Sequence, residues 1–333
     1  MDFISELHPD VSCQQTSALP DTESVRDAAL VGLAHALKKR GYCFTTVTPA
    51  THARVNSRRG NEWASNLEGI FGWSRLFQRQ IIPEEIFELM QAANAVAPHD
   101  NGWRSLVRAS TLNGRLFFHS AYPTAEADAV FFGPDTYRFV TAIDHHFVVN
   151  STPVHRAVDV GCGAGSGAFA VACHKPQAEV LAVDINDSAL RFTSINATFA
   201  GISNIRPRYS DLLNNVGGTF DLIVANPPYL VDSAQRAYRH GGGSLGAGLS
   251  LDIIDAALQR LNPDGTLLLY TGAAIINGVD PFHLAAERKL CDARVQWRYL
   301  EIDPDIFGEE LLSEAYIDAD RIAAVLLTVT RSC

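Results

Sequence analysis

A chain of 333 residues, 47% hydrophobic and 19% charged, is long enough for two domains and has an ordinary globular composition. Its formal charge of −10 excludes a molecule acting throughout as a polycation on nucleic acid or membrane. No apolar run reaches the roughly 18 to 20 residues of a membrane span, and six scattered cysteines show neither disulfide nor zinc spacing. Reduced thiols, no metal and a cytoplasmic location are therefore expected.

Residues 1–22 carry Pro20 among polar residues without periodicity, which predicts a flexible tail. From Asp21 to Arg40 the spacing of Val25, Ala28, Ala29, Leu33 and Leu37 predicts an amphipathic helix, closed by Lys38-Lys39-Arg40-Gly41. A second helix is expected over about Ala64 to Gln78, and a third from Pro83 with Glu84 and Glu85 in its first turn. Asn113-Gly114 between two β-rich runs predicts a hairpin. Three helices and a hairpin have the element order of a winged helix, so residues 23–128 read as a helical, winged-helix-like recognition domain. Between positions 38 and 79, eight basic residues face only two acids, Glu62 and Glu68, a surplus of six that favours an anionic partner.

Residues 129–333 read as a second domain. After a Pro/Ala/Asp linker near 123–128, Arg138 to Phe147 is expected to be helical, and strands then alternate with helices as in a parallel sheet. Strands are expected near 155–160, 179–184, 205–210, 220–225, 265–271, 294–302 and 322–330, with helices at 166–174, 187–200 and 250–261. The expected class is α/β, with a seven-stranded Rossmann-like sheet.

Two stretches carry chemistry. Ala157-Val158-Asp159-Val160-Gly161-Cys162-Gly163-Ala164-Gly165 is a strand entering a glycine turn that opens a helix. Glycines permit the tight turn and close ligand approach, and the helix start offers free N–H groups. By spacing alone the turn also fits a dinucleotide. The second stretch, Phe220 to Ala225, has buried-strand character and ends in Asn226-Pro227-Pro228-Tyr229. A strand cannot continue through two prolines, so the chain leaves the sheet at the edge where open α/β sheets bind ligands.

Together these stretches resemble the class I S-adenosylmethionine-dependent methyltransferases, specifically their Asn-Pro-Pro-Tyr amino-methylating branch. The likeness covers about residues 129–330. It implies S-adenosylmethionine as cofactor, held by Asp159, Gly161, Cys162, Gly163, Gly165, Asp184, Ile185, Asp211, Leu212 and Asn226, with Tyr137 packing on it. An acid at Asp159 would repel a pyrophosphate but receive an ammonium. Asp184, 25 residues on, ends the next strand where a carboxylate accepts from both ribose hydroxyls, and in the family an acid at Asp211 accepts from the adenine amino group. Catalysis falls to Asn226, Pro227, Pro228 and Tyr229. Two acceptors, the Asn226 side-chain oxygen and the Pro227 carbonyl, favour a tetrahedral nitrogen whose lone pair points at the methyl group, while Tyr229 offers a ring for stacking. Arg239 and His240, before a glycine-rich loop, are candidate substrate contacts.

Members of the branch methylate exocyclic amines of adenine or guanine in DNA or RNA, or the glutamine amide of release factors. The release-factor enzymes have a compact helical bundle in front. Here the expected hairpin and the basic surplus move the expectation toward a base amine in RNA or DNA. A protein glutamine, a small-molecule amine, and a non-enzymatic S-adenosylmethionine-binding regulator stand as alternatives.

Overall fold

The structure, a computed structural model, describes residues 22–124, 126–232, 236 and 238–332. Except for Thr22, the expected tail lies outside the described residues. Three helices come first: α1 (Thr22–Lys39), α2 (Pro49–Asn56) and α3 (Glu84–Ala92). Two hairpins follow, β1 (Val96–His99) with β2 (Gly102–Ser105), and β3 (Val107–Leu112) with β4 (Arg115–Ser120). Asn113 and Gly114 join β3 to β4 with positive φ at both positions, as a two-residue turn between right-twisted strands requires.

The helix expected over Ala64 to Gln78 does not form; only one wide turn, Glu68–Gly72, remains. A Cβ on Gly72 would come within 2.2 Å of the Phe44 ring. The chain then reverses at Ser74, and Phe77 pairs its backbone with Trp103 instead. Tertiary pairing overrides the apolar spacing there. α2, which was not expected, is capped by the Thr48 side chain and opens with Pro49.

The β3–β4 hairpin is no open wing. Along β3 and β4, residues on both faces are buried. Phe117 meets Phe169 edge-on at 4.8 Å. The Asn196 side chain accepts from the Phe118 N–H at 2.9 Å and donates to the carbonyls of Phe118 and Ala164. The hairpin is thus docked on the second half of the chain and shares one apolar core with it.

That second half contains α4 (Pro134–Val149), β5 (Arg156–Val160), α5 (Ser166–His174), β6 (Glu179–Asp184), α6 (Asp187–Ala200), β7 (Ile205–Tyr209), β8 (Phe220–Ala225), α7 (Gly248–Arg260), β9 (Leu261–Ile275), α8 (Pro281–Leu290), β10 (Val295–Asp303) and β11 (Arg321–Arg331). The seven strands lie in the order β10-β11-β9-β8-β5-β6-β7, with β11 antiparallel to both its neighbours and the rest parallel. Strand alternation divides the core in two. Leu222 and Val224 of β8 face the layer of α4, α5, α6 and the front region, while Ile223 and Ala225 face α7 and α8.

Topology positions the site. From β5 the chain winds outward through β6 and β7, then returns to the other side of β5 for β8. That reversal opens a crevice at the carboxyl ends of β5 and β8. Val160 pairs with Ala225, so Gly161 and Asn226 leave the sheet side by side.

Candidate active site

A cavity of about 410 Å³ occupies this crevice, a size suited to a small ligand. It is lined by Asp159, Gly161, Cys162 and Gly163 after β5, Asp184 and Ile185 after β6, and Asp211 and Leu212 after β7. Asn226, Pro227, Pro228 and Tyr229 after β8 line it too, as does Arg239. Register explains the gathering: Val160 neighbours Val183 and Asp184 neighbours Tyr209, so the strand ends stand in a row.

The acids differ in setting. Asp159 is 1% exposed and accepts from the Ala168 N–H at 2.8 Å, on the first turn of α5. Burial lifts its carboxyl to about 7, the Ala168 N–H pulls it back, and nearby Asp184 adds a smaller push. Asp184 accepts from the N–H groups of Gly163 and Asn186, each at 3.0 Å. Burial raises it as well, against those two N–H groups and that of Ile185. Asp211 is exposed at the cavity, and Leu212 turns the chain there with φ 49°. Asn226 is half-buried, and among the described residues nothing hydrogen-bonds its side-chain amide.

Three expected residues fall outside the cavity. Gly165 has φ 87° and serves the turn into α5, where a Cβ would meet Thr193 at 2.9 Å. Tyr137 faces the front region, its hydroxyl accepting from the Thr46 N–H at 3.0 Å. His240 accepts through Nδ1 from the Asp232 N–H at 3.2 Å. Tyr229 lines the cavity but is no open stacking platform: it is 7% exposed, and a Cβ on Gly272 would come within 2.3 Å of its ring. Phe307 meets it edge-on at 6.1 Å.

Other lining residues were not singled out from sequence. Asp135, at the start of α4, stands two residues before Tyr137 and lines the cavity. Pro49, Tyr122, Pro123 and Thr124 come from the front region, and no local pattern announces them. At the mouth, Tyr238 donates to the Thr124 carbonyl at 2.7 Å. Arg236 and Arg239 are both paired with the buried Asp232, and Arg239 also with Glu310. The Arg236 guanidinium holds the Asp232 carboxyl down at about 2.

A crossover at β5 and β8, a glycine turn, strand-end acids and a proline-locked exit define a class I methyltransferase type of Rossmann-like sheet. Residues 141–275 match the family described as methyltransferase small domain. Among curated proteins, it is 37% identical over 130 residues to the ribosomal protein uL3 glutamine methyltransferase of Neisseria meningitidis, covering 36% of this chain and 43% of that one. It is 34% identical over 169 residues to the release factor glutamine methyltransferase of Deinococcus radiodurans, covering 46% and 55%. The chain thus spans about half the length of these relatives. A solved T. thermophilus 16S rRNA N2 guanine methyltransferase, in complex with AdoMet and guanosine, aligns at 16% identity and a TM-score of 0.46, covering 78% of this chain and 64% of its own.

Proposed function

We propose that this chain is an S-adenosylmethionine-dependent N-methyltransferase acting on a planar N–H2 group, the side-chain amide of a protein glutamine. The observation that carries this reading is the Asn226 amide, unpaired among the described residues, standing beside the glycine turn at the sheet's switch point. The residues present fit the donor. Asp159 takes its ammonium, Asp184 accepts from the ribose hydroxyls, and Asp211 with Leu212 meets the adenine. When bound, S-adenosylmethionine supplies a methyl group on a positively charged sulfur.

The chain's own residues then do the positioning. The Asn226 side-chain oxygen and the Pro227 carbonyl accept the two N–H bonds of the acceptor. This draws its lone pair out of conjugation and aims it along the transfer axis, so orientation and local field carry the rate. Proline's fixed φ holds the direction of the peptide. Tyr229 closes the wall behind it.

Three observations favour a glutamine amide. The two curated relatives named above are glutamine methyltransferases by name. The hairpin offers no free wing face. The arginines lining the mouth are already neutralised by Asp232 and Glu310, which leaves them poorly suited to phosphate. A base amine in RNA or DNA is the second reading: exposed Arg58 and Arg59 follow α2, whose first residue, Pro49, lines the cavity.

The test offers labelled methyl donor to ribosomal protein, release factor and RNA fractions. Label at a protein glutamine is expected, and label confined to RNA would reverse the choice of acceptor. Asn226→Ala is expected to lose at least about 100-fold in kcat while still binding the donor; unchanged transfer would remove the clamp.

A further inference from the structure

Asp135 is a buried carboxylate of the cavity for which neither the donor nor the clamp just described gives a use. It is 3% exposed and lies in the first turn of α4. Its Oδ1 accepts from the Tyr270 hydroxyl at 2.7 Å and from Arg138 at 3.3 Å, and Arg138 reaches on to Asp303 at 2.7 Å. Three elements are thereby joined: α4, the interior strand β9, and the end of β10.

The Tyr229 hydroxyl stands beside this carboxylate. It is buried and, among the described residues, makes no hydrogen bond of ordinary geometry. Burial and then the Asp135 charge push its pKa well above the ordinary phenol range. A buried hydroxyl without a partner is destabilising. The ring's position leaves little choice of partner, because it leans on Gly272. Gly272 lies two residues along β9 from Tyr270, on the same face of the strand. Tyr270 thus ties Asp135 to the strand against which the Tyr229 ring packs.

We infer that Asp135 is a positioning residue of the acceptor clamp, accepting the Tyr229 hydroxyl and so fixing Asn226 and the Pro227 carbonyl just before it in the chain. The inference rests on the methyl-transfer reading above for its effect on rate, but not for its contact. Displacing a clamp by about 1 Å costs on the order of 100-fold in rate.

The experiment is a double-variant cycle with Asp135→Asn and Tyr229→Phe. Each single variant is expected to lose about 10- to 100-fold in kcat, with the affinity for S-adenosylhomocysteine changed by less than about twofold. The double variant is expected to be no worse than the poorer single, because both remove one contact. Asp135→Glu, which keeps the charge, should recover part of the rate and guards against a variant that fails to fold. Losses that multiply, or donor-product binding that falls in step with kcat, would overturn the inference. A second readout needs no acceptor: in ring-labelled protein, the Tyr229 NMR signal, identified by its loss in Tyr229→Phe, should shift in Asp135→Asn. An unmoved signal refutes the contact. Wild-type protein that methylates nothing would instead sink the proposed reaction, leaving the NMR result to decide Asp135 alone.

Discussion

In the half of the cavity proposed to hold the donor, Gly161, Asp184 and Asp211 follow or close the neighbouring strands β5, β6 and β7, whereas the half proposed to hold the acceptor draws Pro49, Tyr122, Asp135, Tyr229 and Phe307 from five separate stretches. The donor half is built by register: once the strands pair, its groups are in place. The acceptor half exists only when the front region, α4 and the loop after β10 have all docked. Changes in the donor half should therefore alter affinity, and changes around the acceptor half should alter rate or stability.

The largest expected effect tests the docking itself. Phe118→Ala empties a fully buried site in the hairpin and should cost about 3–5 kcal/mol. Because the hairpin shares its core with α5 and α6, the loss should appear in a single unfolding transition by calorimetry. Two separated transitions, with only the first displaced, would show that the front region folds alone.

Next in size, Asp184→Ala should weaken donor binding by about 10- to 100-fold, through lost hydrogen bonds to a charged group, with a smaller change in kcat. Titration calorimetry with S-adenosylhomocysteine checks it. A loss confined to kcat would put Asp184 on the acceptor side.

The pH dependence is smaller and has a defined sign. Asp159 titrates near 7 in the folded chain, against about 3.9 when unfolded. The folded state then holds the proton more tightly, so the contribution to stability falls as pH rises from about 4 to about 7 and is flat above. Donor affinity should move the other way, because an ammonium pairs with the ionised carboxylate. It should rise by up to about tenfold per pH unit below 7 and level off above. Asp159→Asn should abolish that slope; an unchanged slope would assign it to another group.

The smallest effect is at the mouth. Arg239→Ala removes a guanidinium paired with Glu310 and with the buried Asp232, which keeps Arg236, and should lower stability by about 1 kcal/mol, with donor affinity unchanged.

The same contrast explains what could be read from the sequence. The glycine turn, the strand-end acids and the proline exit are local signals, and β5 to β8 fall within a residue of their expected bounds. α2 and α8 were not foreseen, although both open with a capping side chain followed by proline, Thr48-Pro49 and Asp280-Pro281. At the start of α4 the sequence offers Asp135 and Tyr137 two positions apart, about 200° around a helix, so only one of them can face the cavity. Which one depends on how α4 is rotated against β9, and no local pattern records that. The wide turn at Glu68–Gly72 is likewise set by a distant ring, Phe44.

The Asn196 amide grips both backbone groups of Phe118 and the carbonyl of Ala164 within the glycine turn. One side chain therefore rivets the front region of the molecule to the glycine turn after β5. A swing of the front region to admit a bulky acceptor would pull on that loop. On the proposed reaction, this links entry of one reactant to retention of the other, and loosening the rivet should make the donor leak before it makes the acceptor bind.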